Sequence, residues 1–373
     1  EHILFRQGKE TCHAGEIVFQ KQVKIGIKSI FARGSRHIPE LFFPQRQVFL
    51  ARRRSENLST VFGPKKEKIR AIDGVSFYVC RGEMVGIVGE SGCGKSVTSQ
   101  SIMRLYDEKE EVSYSGTVRF EGENLMEIPY KEMEKIRGNR IAMIFQDALS
   151  SLNPVYTVGN QVVEAICIHQ NVEKKEAWQK AVEMLTKVGI SEPEKRMRQY
   201  PHELSGGMRQ RVMIAIALCC KPDLLIADEP TTALDVTVQA QIMDLIQQLK
   251  EEENMGVILI THDMAVVAEN CDRVIVMYLG QMVEEASVTD IFEHPLHPYT
   301  IGLIQSIPQM TTDSEQELFM IKGSLPLLTQ IKKGCRFASR CPYATDKCRE
   351  EEPELQKTGE NHSVRCHFPR FGE

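Results

Sequence analysis

The stretch that most limits what this chain can fold into is Gly89-Glu90-Ser91-Gly92-Cys93-Gly94-Lys95-Ser96, which fits the pattern G-x-x-x-x-G-K-[ST] without a gap. Glycines at 89, 92 and 94 let the backbone turn tightly and aim successive N–H groups inward, an arrangement that surrounds the oxygens of a polyphosphate. Ser91 and Cys93 fill the turn between them. Lys95 adds a point charge for β- and γ-phosphates, Ser96 offers a hydroxyl to Mg²⁺, and a following helix brings its positive end to the same anion. The flanks agree. Met84–Val88 reads as a buried strand leading in, and Val97–Leu105 as a helix leading out. Strand, glycine loop and helix together commit the chain to an α/β P-loop NTPase core that binds nucleotide.

At 373 residues there is room for one large α/β domain with an appendage, or for two domains. The longest apolar run, Val212–Cys220, is nine residues, too short to span a bilayer, so a membrane role has to pass through a partner. The formal charge of −5 is unevenly spread. Residues 1–54 carry eleven Lys/Arg against four Glu, a balance of +7 that leaves −12 for the remainder. An acidic body disfavours a nucleic-acid-binding surface. Eleven cysteines are scattered along the chain, Cys93 inside the phosphate loop among them, which suits a reducing compartment. Residues 1–54 end in Arg52-Arg53-Arg54 and show no sustained period. They read as a flexible extension, a misplaced start or an Arg-rich leader, and no function is assigned to them.

Beyond them, Ser59–Phe62, Ala71–Val79 and Ser115–Phe120 read as strands of an antiparallel sheet laid beside the nucleotide strand. A further strand, Arg140–Phe145, ends at Gln146. Helices are predicted over Val158–His169 and Glu173–Val188, and a third runs from the turn at Leu204 to about Cys220. This helical block, about 147–220, interrupts the strand–helix alternation and reads as a subdomain. Leu224–Ala227 is a buried strand with Asp228-Glu229 at its end, Asp235 caps the next helix, and Val257–Ile260 leads to His262. Ligands of open parallel sheets collect at the carboxyl ends of strands, where Gly89, Gln146, Asp228 and His262 all fall. There is no internal repeat and a single phosphate loop.

Phosphoryl transfer to water needs a phosphate cradle, a metal, a positioned water and something to absorb charge on the γ-phosphate. Asp228 is placed to hold Mg²⁺, and Glu229 to act as general base on the attacking water. Gln146 can reach metal or water, and His262 can donate to the γ-phosphate. Singly each is weak, because Asp-Glu pairs are mostly solvated and a strand-end His is mostly structural. In this order after a phosphate loop they form a set. Ser205, Gly206 and Gly207 at a helix N-terminus make a second phosphate-facing surface. One ATP already has its phosphates in the loop of the same chain, so the economical solution is a head-to-tail dimer with each turn closing over the other subunit's nucleotide.

Residues 58 to about 290 resemble the nucleotide-binding domain of ABC transporters. The resemblance rests on a Walker A at Gly89–Ser96, a Q-loop glutamine at Gln146 and a signature at Leu204–Gln210. A Walker B at Leu224–Glu229, a D-loop at Ala233-Leu234-Asp235 and a switch histidine at His262 complete it. It implies ATP and Mg²⁺ as cofactors, Phe62 stacking on adenine where many members carry Tyr, and a helical block docking on a membrane subunit. By the same resemblance ATP closes the dimer and hydrolysis opens it.

Farther on, His297-Pro298-Tyr299-Thr300, Ser306-Ile307-Pro308 and Gly334–Tyr343 resemble the tail of oligopeptide and dipeptide importer ATPases. In that tail Cys335, Cys341, Cys348 and Cys366 follow C-x5-C-x6-C-x17-C. Four thiolates suit a [4Fe–4S] cluster or structural Zn²⁺. The wide gaps, and the cluster some members of the subfamily carry, favour iron–sulfur; four unliganded cysteines are the plain alternative. His362 and His367 are nearby spare ligands.

The reading is therefore an N-terminal extension at 1–54, an ABC domain at 55–290 with antiparallel and helical subdomains, and a small Cys-containing extension at 291–373. It describes a peptide importer ATPase, peripheral at the cytoplasmic face of the membrane. Its implied partners are a second ATPase subunit, identical or paralogous, two permeases and, indirectly, an extracytoplasmic binding protein; no nucleic acid is expected. Alternatives are import of nickel or sugars, or a soluble ABC ATPase acting on DNA or ribosomes. The last usually carries two cassettes or a long coiled-coil insertion, and this chain has neither.

Overall fold

The structure, a computed structural model, describes residues 53–64, 68–106, 111–147, 151–231, 235–307, 319–331 and 333–370. The reading of residues 1–52, and Ala233 and Leu234 of the D-loop, lie outside the described residues. In chain order the strands are β1 (Arg53–Phe62), β2 (Ile69–Tyr78), β3 (Met84–Val88), β4 (Val112–Phe120), β5 (Glu123–Asn124) and β6 (Ile141–Ile144). Then come β7 (Leu224–Asp228), β8 (Gly256–Thr261), β9 (Arg273–Tyr278), β10 (Gln281–Ser287), β11 (Gln356–Lys357) and β12 (Ser363–Val364).

Two sheets result. The larger has the order β11-β12-β10-β9-β3-β8-β7-β6, and its inner run from β9 to β6 is parallel. Strands β3, β7, β8 and β9 are buried at every position, the mark of strands covered on both faces, so they read as unbroken apolar runs rather than alternating ones. In register, Val88 at the end of β3 lies opposite Thr261 and Val276. The phosphate loop therefore leaves from the middle of the sheet.

The antiparallel strands expected beside the nucleotide strand form their own sheet, ordered β2-β1-β4-β5. Its Leu58, Ile72 and Val75 share one core with Val85, Ile87 and Ile260 of the larger sheet. Helices Val158–His169, Lys174–Lys187 and Gly206–Leu218 make the helical block. The first is capped by the Thr157 side chain, which accepts from the Asn160 N–H. The second buries Ala177, Ala181 and Leu185, a spacing of four that puts them on one face. Among the described residues no helix is long and apolar enough to cross a membrane.

The C-terminal region, expected as a small Cys-containing extension, continues the main sheet. Strand β12 pairs antiparallel with β10, and β11 with β12, so the region adds two strands to the edge of the main sheet. Its buried Phe337 joins a cluster with Tyr278 and Tyr299, the ring centroids lying 5.2 and 5.4 Å away. Its Phe337, Leu325, Leu328 and Ile331 pack into one cluster with Val274, Val276 and Tyr278 of β9.

Candidate active site

The phosphate loop has the backbone its glycines permit, with φ of 150° at Gly89, 83° at Gly92 and 103° at Gly94. A Cβ at Gly89 would stand 2.3 Å from the Met277 carbonyl oxygen, so this position has no room for any other residue. Helix Lys95–Ile102 starts directly after the loop. Lys95 folds back into it, its Nζ donating to the carbonyls of Gly89 at 2.7 Å and Glu90 at 3.2 Å. Ser96 Oγ donates to Asp228 Oδ1 at 3.1 Å, across from β7. Asp228 is 2 % exposed, and burial raises its pKa; the Ser96 bond and the more distant Lys95 charge offset this only in part.

Next to it, Glu229 is held from two sides. Gln146 Nε2 donates to its Oε2 at 2.9 Å, and His262 Nδ1 lies 3.3 Å from its Oε1. Its backbone sits at φ 47°, the left-handed region that a non-glycine residue occupies at a cost, and its N–H donates to the Ile260 carbonyl. The ends of β6, β7 and β8 thus bring Gln146, Glu229 and His262 to one point. Phe62 packs edge-on against Tyr106, centroids 4.8 Å apart. Asp235 caps helix Val236–Glu253 by accepting from the Val238 N–H at 2.9 Å.

The turn at Ser205, Gly206 and Gly207 stands elsewhere. Ser205 and Gly206 are exposed, Ser205 caps its helix by accepting from the Met208 N–H, and Leu204 anchors the turn in the core. Among the described residues none of the three hydrogen-bonds to the phosphate loop of the same chain. One link reaches back: Gln210, buried in that helix, donates through Nε2 to the Pro230 carbonyl, one residue beyond Glu229. Sequence reasoning placed Gln210 in the motif without a role for it.

The metal expectation for the C-terminal cysteines is not supported. Cys335, Cys341, Cys348 and Cys366 do line one pocket, together with His297, Phe337 and His367. Yet among the described residues no three His, Cys, Asp or Glu side chains are set to hold one metal ion. Burial pushes the Cys335 and Cys366 thiols up to about 11 and raises Cys341. His362 is no spare ligand. Its Nε2 lies 2.7 Å from Oε1 of the buried Glu284, which also accepts from the N–H groups of Leu296 and His297. His367 Nε2 pairs with the Glu351 carbonyl.

A phosphate loop at the centre of a parallel sheet, a buried Asp228 followed by a half-buried Glu229 two strands away and a glycine-rich turn facing outward define an ATP-binding cassette. Comparisons with known proteins narrow the class. The ABC transporter family model matches residues 72–232, and that of the oligopeptide/dipeptide transporter C-terminal region matches residues 283–348. The chain is 54% identical over 310 residues to the probable peptide ABC transporter ATP-binding protein y4tR of Sinorhizobium fredii, spanning 83% of this chain and 92% of that one. It is 49% identical over 314 residues to the dipeptide transport ATP-binding protein DppD of Escherichia coli, spanning 84% and 95%. Among solved structures, the dimeric post-hydrolysis state of the cassette MJ0796 bound to ADP and Pi matches with TM-score 0.57 and 30% identity, covering 63% of this chain and 98% of that one. The chain belongs to the ABC transporter family and, within it, to the ATP-binding proteins of oligopeptide and dipeptide transporters.

Proposed function

We propose that this chain is the ATP-hydrolysing subunit that powers import of di- and oligopeptides, working at the cytoplasmic face of the membrane with a second ATPase subunit and two permeases. The observation that carries the hydrolytic part is Glu229, fixed between Gln146 and His262 beside the Ser96–Asp228 pair. The peptide part rests on family membership and on the match of the C-terminal region. An extracytoplasmic peptide-binding protein would feed the permeases.

Gly89, Ser91, Gly92 and Gly94 enclose the phosphates, Lys95 exchanges backbone carbonyls for phosphate oxygens, and Phe62 stacks on adenine. Mg²⁺ fits the site because Asp228 is a buried carboxylate whose charge one hydroxyl and a distant ammonium offset only in part. Ser96, Asp228 and Gln146 would hold it, and it would neutralise charge on the β- and γ-phosphates. Glu229 takes the proton of the attacking water, and His262 donates to the γ-phosphate. The partner subunit contributes its own Ser205–Gly207 turn, and Asp235 lies at the D-loop between the two. Phe145 and Tyr156 are 42% and 54% exposed on either side of the loop after Gln146, an apolar surface suited to a permease.

Because the site needs a second chain, specific ATPase activity should fall as the protein is diluted through its dimer affinity. Activity per mole that stays constant over a thousandfold dilution, down to about nanomolar protein, would contradict the shared site.

A further inference from the structure

The residue after Gly89 is tied down from three directions. Lys95 donates to the Glu90 carbonyl, and the Glu90 N–H donates to Tyr299 Oη at 2.8 Å. The Glu90 carboxylate takes two bonds from Arg340, at 2.5 Å to Oε2 and 2.9 Å to Oε1. Tyr299 and Arg340 both come from the C-terminal region, Arg340 from 250 residues downstream. The Arg340 side chain is 4% exposed and Glu90 31%, so the pair sits at the edge of the core rather than in open solvent. The same guanidinium donates to the carbonyls of Lys322 at 3.1 Å and Gly323 at 3.2 Å. Two residues on, Leu325 is the side chain nearest the open face of Gly92. A strap of C-terminal chain thus crosses the phosphate loop with Arg340 as its rivet.

We infer that the C-terminal region is a working part of the nucleotide site, with Arg340 a positioning residue that sets the phosphate loop through Glu90. The loop binds phosphate with backbone N–H groups, whose directions depend on the peptide planes between Gly89 and Ser91. A two-pronged guanidinium–carboxylate bond fixes an orientation that a single bond leaves free to swing. Binding of ATP should feel its loss more than the chemical step, which Glu229 carries from β7. The inference rests on Gly89–Ser96 holding ATP.

The test is steady-state ATPase kinetics on the full chain for wild type, Arg340→Met, Arg340→Lys, Glu90→Gln and the double variant Arg340→Met with Glu90→Gln. Arg340→Met should raise KM for ATP about tenfold with kcat within about twofold. Arg340→Lys should fall between, since an ammonium cannot span both oxygens. The double variant should be no worse in KM than the worse single one. Unchanged KM in Arg340→Met, or KM changes that multiply in the double variant, would overturn the inference. If Arg340→Met does not fold, Arg340→Lys decides alone, and a wild-type KM there overturns it. Wild type that shows no saturable ATP hydrolysis would instead sink the underlying reading of the site.

Discussion

Replacing Glu229 by Gln isolates the chemistry of this site because the structure keeps everything else in place. Gln has the same length, accepts from Gln146 Nε2 through its carbonyl and offers its amide toward His262 Nδ1, so both contacts at 2.9 and 3.3 Å have a partner. The backbone at φ 47° is as costly for Gln as for Glu, and the N–H bond to Ile260 does not involve the side chain. Folding stability should therefore change by no more than about 1 kcal/mol. What disappears is the ability to take a proton from water. A positioned general base contributes about 10²- to 10⁴-fold, which at 1.36 kcal/mol per tenfold is about 2.7 to 5.4 kcal/mol of barrier. ATP binding uses the phosphate loop and should survive, so the variant should accumulate as an ATP-bound dimer. The assay is phosphate release alongside light scattering with Mg-ATP. Turnover within about threefold of wild type, at an unchanged melting temperature, would remove Glu229 as the base.

Asp228→Asn should be more stable than wild type without nucleotide, yet inactive. Burial raises the Asp228 pKa, so its stabilising state is the protonated one, present below the ordinary carboxylate range and lost as pH rises through the folded value. Asn carries no charge and still accepts from Ser96, so melting at neutral pH without Mg-ATP should move upward; a lower melting temperature would refute the argument. His297 gives the opposite pH sign. It is buried, its pKa lies at about 4, and its Nδ1 accepts from the Tyr299 N–H at 3.0 Å to cap helix Pro298–Gln305. The unfolded chain takes that proton first, so stability is intact above about pH 6.5 and falls by about 3 kcal/mol as pH drops to about 4. His297→Asn keeps a cap and should flatten that part of the dependence in urea unfolding at several pH values. An unaltered slope would refute it.

The parts legible in the sequence are those where local pattern and local chemistry coincide. The phosphate loop, the buried strands that end at Asp228 and Thr261, and the helix Val158–His169 are each written in fewer than about twenty consecutive residues. Periodicity and capping act over that range. The convergence of Gln146, Glu229 and His262 was also legible, since parallel strands deliver their ends to one edge whatever their order. The left-handed backbone of Glu229 was not, because nothing in an Asp-Glu-Pro triplet announces it. The cysteine spacing foretold that four thiols share one place, and they line one pocket, but among the described residues no three ligating side chains are set to hold a metal ion.

The C-terminal contacts were the least visible. Arg340 and Glu90 lie 250 residues apart, and neither sits in a repeating pattern that points at the other. Before the fold is known, a charged residue in a phosphate loop reads as solvated and an arginine between two cysteines reads as surface. Only when Phe337 inserts beside Tyr278 and Tyr299 is Arg340 carried to the loop. The aromatic packing of the tail and the bonds to the phosphate loop belong to the same segment of chain. The region read as a small Cys-containing extension thus reaches the phosphate loop of its own chain through Arg340 and Tyr299.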